Sequence, residues 1–250
     1  MKKLIVLPML MCLFVSCKEN VGPNQLTEKE KNDGWVLLFD GKTMDNWKGY
    51  CKNAIPSAWS VTEDGTIHIA GSGKGEAGAH DGGDIITREK YGNFELSLEW
   101  KVSEGGNSGI FYLAQEICGN DSVPGDPIWK SSPEMQILDN EKHPDAKLGT
   151  DGNRQAGSLY DLIPANPQNA KPVGEWNQIT ITVYKGTVIH AMNGKNVVEY
   201  HLWTDDWKNM CANSKFADFP NFVNTAEEGY IGLQDHGDDV WFRNIKIRRL

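Results

Sequence analysis

From Trp35 onward, apolar and polar residues alternate along the chain. Phe94, Leu96, Leu98, Trp100 and Val102 are separated by Glu95, Ser97, Glu99 and Lys101, and Ile179, Ile181 and Val183 by Thr180 and Thr182. A period of two puts apolar side chains on one face of a strand and polar ones on the other. Shorter stretches predict further strands at 35–39, 66–70, 109–114, 134–138, 157–161, 197–203, 229–234 and 240–248. Asp64-Gly65, Lys185-Gly186 and Asn193-Gly194 carry turn chemistry, and the last two predict successive hairpins. Many short strands with little helix predict an all-β fold, a two-sheet antiparallel sandwich of jelly-roll type.

Two stretches break the pattern. Residues 115–133 are rich in Gly, Pro and Asp and read as a long loop leading into Glu134. Residues 204–222 carry Trp207, Met210, Phe216 and Phe219 at near-helical spacing behind Thr204, a capping residue. They predict short helices packed over one end of the sandwich.

The first residues read as an export signal. Lys2 and Lys3 precede an apolar run at 4–15 that is short for a membrane span. Phe14-Val-Ser-Cys17 resembles a lipobox, which makes Cys17 the lipidated first residue of a bacterial cell-envelope protein, an outer-membrane lipoprotein on its periplasmic or surface face. An ordinary secretory signal is the plainer alternative. Residues 18–34 are polar and read as a tether, or in their second half as a helix capped by Thr27; residues 35–250 then form a single domain. The formal charge of -9 argues against nucleic acid and against anionic lipid, leaving the lipid anchor as the membrane contact. With Cys12 in the signal and Cys17 lipidated, Cys51, Cys118 and Cys211 remain. They make either one disulfide and one thiol or three buried thiols.

The densest chemistry lies in Ser132-Pro-Glu-Met-Gln-Ile-Leu-Asp139. In a strand, Glu134 and Gln136 share one face and Met135 and Ile137 the other. The apolar pair suits a core; the carboxylate and amide suit a polar ligand and proton transfer. Leu233-Gln-Asp-His-Gly237 adds Asp235 and His236, whose imidazole titrates nearest neutrality. His236 reads as a general acid or base held by Asp235 or a nearby carboxylate, or else as a turn histidine bonded to backbone. Glu95, Glu99 and Lys101 share a strand face that is either plain solvent surface or the lining of a groove. Arg88 is a candidate clamp for a substrate oxygen. Asn107-Ser-Gly109 reads first as turn chemistry. Trp59, Trp129, Trp203 and Trp207 lie near predicted loops or strand ends, where an indole can stack on a sugar ring or belong to the core. No Gly-x-Ser-x-Gly elbow and no zinc-finger spacing occurs.

Taken in order, Phe39-Asp-Gly41, Asn93-Phe-Glu-Leu96, Gly106-Asn-Ser-Gly109, Pro133-Glu-Met-Gln136, Gly157-Ser-Leu-Tyr160, Leu233-Gln-Asp-His-Gly237 and Phe242-Arg-Asn-Ile245 resemble the 3-keto-disaccharide hydrolase domain family. The resemblance runs from Gly34 to Ile247. It implies a concanavalin A-like lectin/glucanase sandwich and a carbohydrate substrate. It assigns Glu134, Gln136 and His236 to the catalytic centre, with Arg88, Glu99, Asn107, Tyr160 and Asp235 around the substrate. The implied chemistry starts from a ketone at C3 of a glycoside, which acidifies the C2 proton. His236 or Glu134 takes that proton, the other protonates the leaving oxygen at C1, and Arg88 or Gln136 steadies the enolate. A divalent metal on Glu134, His236 and a further carboxylate is the alternative to that last role. An ordinary glycoside hydrolase would instead need two carboxylates across a groove, and a non-catalytic carbohydrate-binding lipoprotein would need aromatics without a His–Glu pair.

Overall fold

The computed structural model describes residues 21–72, 82–120, 122 and 124–250, so the export signal, Cys17 and the start of the tether fall outside the described residues. In chain order the strands are β1 (Val36–Leu37), β2 (Trp47–Gly49), β3 (Trp59–Val61), β4 (Ile67–Ile69), β5 (Ile85–Thr87), β6 (Phe94–Val102) and β7 (Asn107–Ala114). They continue as β8 (Glu134–Leu138), β9 (Asn177–Tyr184), β10 (Thr187–Met192), β11 (Lys195–His201), β12 (Tyr230–Leu233) and β13 (Val240–Arg249). One sheet has the order β11-β10-β9-β6-β13-β4-β3, with β1 also on β13; the other has β2-β5-β12-β7-β8. Neighbours pair antiparallel, as in β6 with β13 and β7 with β8. The expected two-sheet sandwich is present.

The alternation on β6 sorts as the pattern predicts. Phe94, Leu96, Leu98, Trp100 and Val102 are buried in the core between the sheets. Glu95 and Glu99 lie on the opposite face, where Arg248 and Arg243 donate to them at 2.8 and 2.7 Å. Both predicted hairpins form. Tyr184 pairs with Thr187 across Lys185 (φ 50°) and Gly186 (φ 84°), and Met192 with Lys195 across Asn193 (φ 48°) and Gly194 (φ 78°). Two successive left-handed residues match the right-handed twist of the strands they join. Strands β2, β3 and β5, of three residues each, fall outside the predicted set, whereas the equally short β4 lies within the predicted 66–70.

Residues 157–161 are not a strand. They run beside β8 through Gly157 N–H to Gln136 O (2.8 Å), Gln136 N–H to Ser158 O (3.1 Å) and Tyr160 N–H to Glu134 O (3.0 Å). The chain then turns at Asp161 (φ 60°) and folds back, pairing Leu159 with Ile163. This stretch covers the free edge of β8, which would otherwise offer unpaired backbone groups. His190 anchors it from the core. Burial pushes its pKa down to about 4, so the ring is neutral. Its Nδ1 donates to Gly157 O at 3.2 Å while Nε2 accepts from the Tyr112 hydroxyl at 2.7 Å.

Two irregular segments complete the fold. Cys51 and Cys118 form a disulfide, and Cys211 is a buried thiol, which realises the first of the two cysteine arrangements. The bridge ties the loop after β7 to the turn after β2. That loop ends in a single helical turn at Ile128–Lys130, directly before β8. At the other end of the chain α1 (Glu28–Asn32) forms behind Thr27, whose side chain accepts from Glu30 N–H; further on, α2 (Asp205–Ala212) and α3 (Pro220–Val223) form the expected short helices. Thr204 caps α2 by accepting from Trp207 N–H at 3.2 Å. Trp207 is buried, and its indole N–H donates to Val223 O at 2.8 Å, locking the two helices together.

Candidate active site

Strand β8 places the two leading candidates. Met135 and Ile137 enter the core, so Glu134 and Gln136 face away from it. They open into a cavity of about 200 Å³ on that outer face of the five-stranded sheet. Asn107 at the start of β7, and Gln234 and His236 just past β12, complete a polar floor. The opposite wall comes from the two irregular segments: Trp129 from the first, and Lys215, Phe216, Phe219 and Phe222 from the second. Tyr160 closes one side. The Trp129 and Phe219 rings meet edge to face at 5.2 Å, and Phe216 stacks on Phe222 at 3.9 Å. A polar floor under an aromatic wall suits a sugar ring, which has hydroxyls at its rim and apolar C–H faces.

The floor is packed tightly. Gly109 on β7 sits opposite Gln136, and the Glu134 carboxylate lies over it. A Cβ on Gly109 would stand 2.0 Å from Glu134 Oε1. Gly109 O also accepts from Gln234 N–H at 3.0 Å, which fixes the start of the His236 turn. The Gln136 carbonyl oxygen Oε1 accepts from Ile137 N–H at 3.0 Å. Its amide nitrogen is therefore the end with donors to offer. His236 keeps 26 % of its side chain exposed, and its Nδ1 is buried without a hydrogen bond, 3.8 Å from Asp238 Oδ2.

Three expected substrate contacts lie elsewhere. Asp235 is fully buried and turned away from the cavity; its carboxylate accepts from Gly83 N–H at 2.7 Å and Gly237 N–H at 2.9 Å. It shapes the turn that carries His236. Arg88 follows β5 at the end opposite Asp235, because Ile85 pairs with Leu233 and Arg88 is three residues further on. It is exposed there, donating to Asp45 O at 2.8 Å. Glu99 belongs to the eight-stranded sheet, paired with Arg243, and does not line the cavity. Asn107 and Tyr160 do line it. The Tyr160 hydroxyl donates to Asp145 Oδ2 at 2.9 Å, and burial with that carboxylate pushes its pKa well up. Of the four tryptophans considered for stacking, only Trp129 lines the cavity; Trp59 and Trp207 are core.

A metal was expected, if anywhere, on Glu134 and His236. The cluster of potential ligands beside the cavity is instead His143, His236 and Asp238, with ligand atoms within 4.8 Å of one another. Asp145 N–H donates to His143 Nδ1 at 3.1 Å, so the neutral ring carries its proton on Nε2. Burial, reinforced by the neighbouring His236, lowers the His143 pKa and favours that neutral form. Asn107 lies against it, with its amide nitrogen 3.5 Å from Nε2 and Oδ1 buried without a partner. Turning the amide over lets Oδ1 accept the Nε2 proton. With His143 committed to this cap, the cluster offers two ready ligands, short of a complete site.

Residues 34–248 match the family described as the 3-keto-alpha-glucoside-1,2-lyase-like domain. The chain belongs to this family. A curated Bacteroides thetaiotaomicron protein named 3-keto-disaccharide hydrolase is 56% identical over 230 residues, covering 87% of this chain and 79% of that protein. A crystal structure of a candidate glycosyl hydrolase from Parabacteroides distasonis superposes with a TM-score of 0.77 at 30% identity, over 92% of this chain and 100% of the other. Another from the same organism gives 0.60 at 25% identity, over 96% and 95%. The family places the chain among carbohydrate-cleaving enzymes.

Proposed function

We propose that this chain cleaves 3-keto-glycosides by elimination across C1 and C2, followed by hydration. The observation that carries the reading is the ionisable inventory of the cavity. Among the described lining residues, Glu134 is the one carboxylate, and it shares the site with His236. A conventional glycosidase works with two carboxylates flanking the scissile bond. An elimination needs one base for the C2 proton and one acid for the leaving oxygen, and a Glu–His pair supplies both. The same pair counts against a purely sugar-binding role.

In this mechanism one of Glu134 and His236 removes the C2 proton. The electron pair forms the C2–C3 double bond of an enolate, with the negative charge on the C3 oxygen. Collapse of the enolate expels the C1 oxygen, which takes a proton from the other residue. The Gln136 amide nitrogen is placed to donate to a substrate oxygen, and the aromatic wall holds the ring faces. Water then adds across C1 and C2 of the 3-keto-2-hydroxy-glucal, its oxygen to C1 and a proton to C2.

Solvent deuterium separates this route from direct substitution. Cleavage of a 3-keto-β-glucoside in D2O is expected to give 3-keto-glucose with a deuteron at C2, or to accumulate the glucal, which has no C2 hydrogen. Product that keeps its original C2 hydrogen, against an enzyme-free exchange control, would rule elimination out.

A further inference from the structure

Negative charge collects on the C3 oxygen during the elimination, and with Arg88 at the wrong end of β5 the neutral Gln136 amide is left to meet it without a cation. Lys215, between α2 and α3, is the one lysine or arginine lining the cavity among the described residues. Its neighbours explain why its donors are available. Arg154 donates to Asp161 Oδ1 at 2.5 Å and to Asp145 Oδ1 at 2.7 Å, and Tyr160 takes the other Asp145 oxygen. The remaining Asp161 oxygen stands 3.7 Å from Lys215 Nζ, an ion pair beyond hydrogen-bond range. The ammonium rests instead over the Tyr160 ring, 4.1 Å from its centroid, and 5.2 Å from that of Phe216. Lys215 thus makes no hydrogen bond among the described residues, although an ammonium carries three donors.

Its surroundings make a ligand welcome. The side chain keeps 39% of its area exposed on the cavity side of the segment. Burial of the rest lowers its pKa, opposed chiefly by Asp161. A cation that has lost part of its water without gaining an acceptor gains most from an oxygen that becomes anionic.

We propose that the Lys215 ammonium hydrogen-bonds the C3 carbonyl oxygen of the substrate and stabilises the enolate as the C2 proton leaves. The inference rests on the elimination reading above. The C2–H bond breaks towards the base, the carbonyl π pair moves onto the C3 oxygen, and Lys215 holds that charge without transferring its proton.

The test is steady-state kinetics of Lys215→Met and Lys215→Arg on a 3-keto-β-glucoside, with Lys215→Gln as a second neutral variant and Arg88→Ala as a control. Loss of one oxyanion donor predicts a fall in kcat of about 100-fold in the Met and Gln variants. KM should stay within about threefold, and Arg should restore at least about tenfold of the lost rate. Arg88→Ala should match wild type. A neutral variant with wild-type kcat, or one that raises KM alone, overturns the proposal while leaving elimination intact. A wild-type protein that leaves the keto sugar uncut overturns the elimination reading itself, and this inference with it.

Discussion

Gly109→Ala is expected to abolish turnover in a protein that still folds as a sandwich. The added methyl would sit 2.0 Å from Glu134 Oε1 and 2.7 Å from its carboxyl carbon, far inside van der Waals contact. Either the carboxylate swings out of the cavity or β7 and β8 part, and β7 is buried along its whole length. The flexible side chain is the cheaper thing to move. Overpacking of this kind costs about 1–3 kcal/mol of stability. Misplacing a proton-transfer group costs about 100-fold or more in rate. The clash has a specific remedy. In Glu134→Ala/Gly109→Ala the colliding atoms are gone, so thermal stability should return towards that of Glu134→Ala alone. Calorimetry and kcat on the four members of this cycle make the check. Additive destabilisation would mean that Gly109 acts through something other than Glu134.

The second large effect comes from Glu134 and His236 themselves. Glu134→Gln and His236→Asn should each slow cleavage about 10²–10⁴-fold. The leaving group tells the two roles apart. A 3-keto-β-glucoside with an alkyl aglycone needs an acid at C1, whereas a nitrophenolate departs without one. The variant lacking the acid should recover most of its rate on the nitrophenyl substrate and still exchange the C2 hydrogen with solvent. The variant lacking the base should do neither. If both variants respond alike to the leaving group, the division of labour between Glu134 and His236 is wrong.

Much of this site was legible in the chain because β8 obeys the simplest rule a strand has. Ile137 and Met135 must go to the core, so Glu134 and Gln136 had one place left to point. The same rule, applied to Leu233 in the core, would have put Gln234 and His236 on the cavity side and Asp235 inward; the acid drew attention that the parity did not support. Arg88 and Glu99 failed for a different reason. Their positions depend on which end of β5 and which of the two sheets faces the cavity, and local pattern carries no information on either. Lys215 and His143 lie in irregular segments without a period, and only the packing of Trp207 and the Asp145 cap fixes where they stand. Strands β2, β3 and β5 escaped because three residues hold only one and a half repeats, whereas the equally short β4 was legible within the longer stretch 66–70.

The most direct test of the account sets a 3-keto-β-glucoside beside the unoxidised glucoside, with the folded protein and sugar release as the readout. The Glu134–His236 cavity predicts cleavage of the keto sugar and none of its parent, since only the ketone acidifies the C2 proton. Cleavage of the parent glucoside at a comparable rate would contradict elimination and demand a second carboxylate, which is absent from the described residues of the cavity lining.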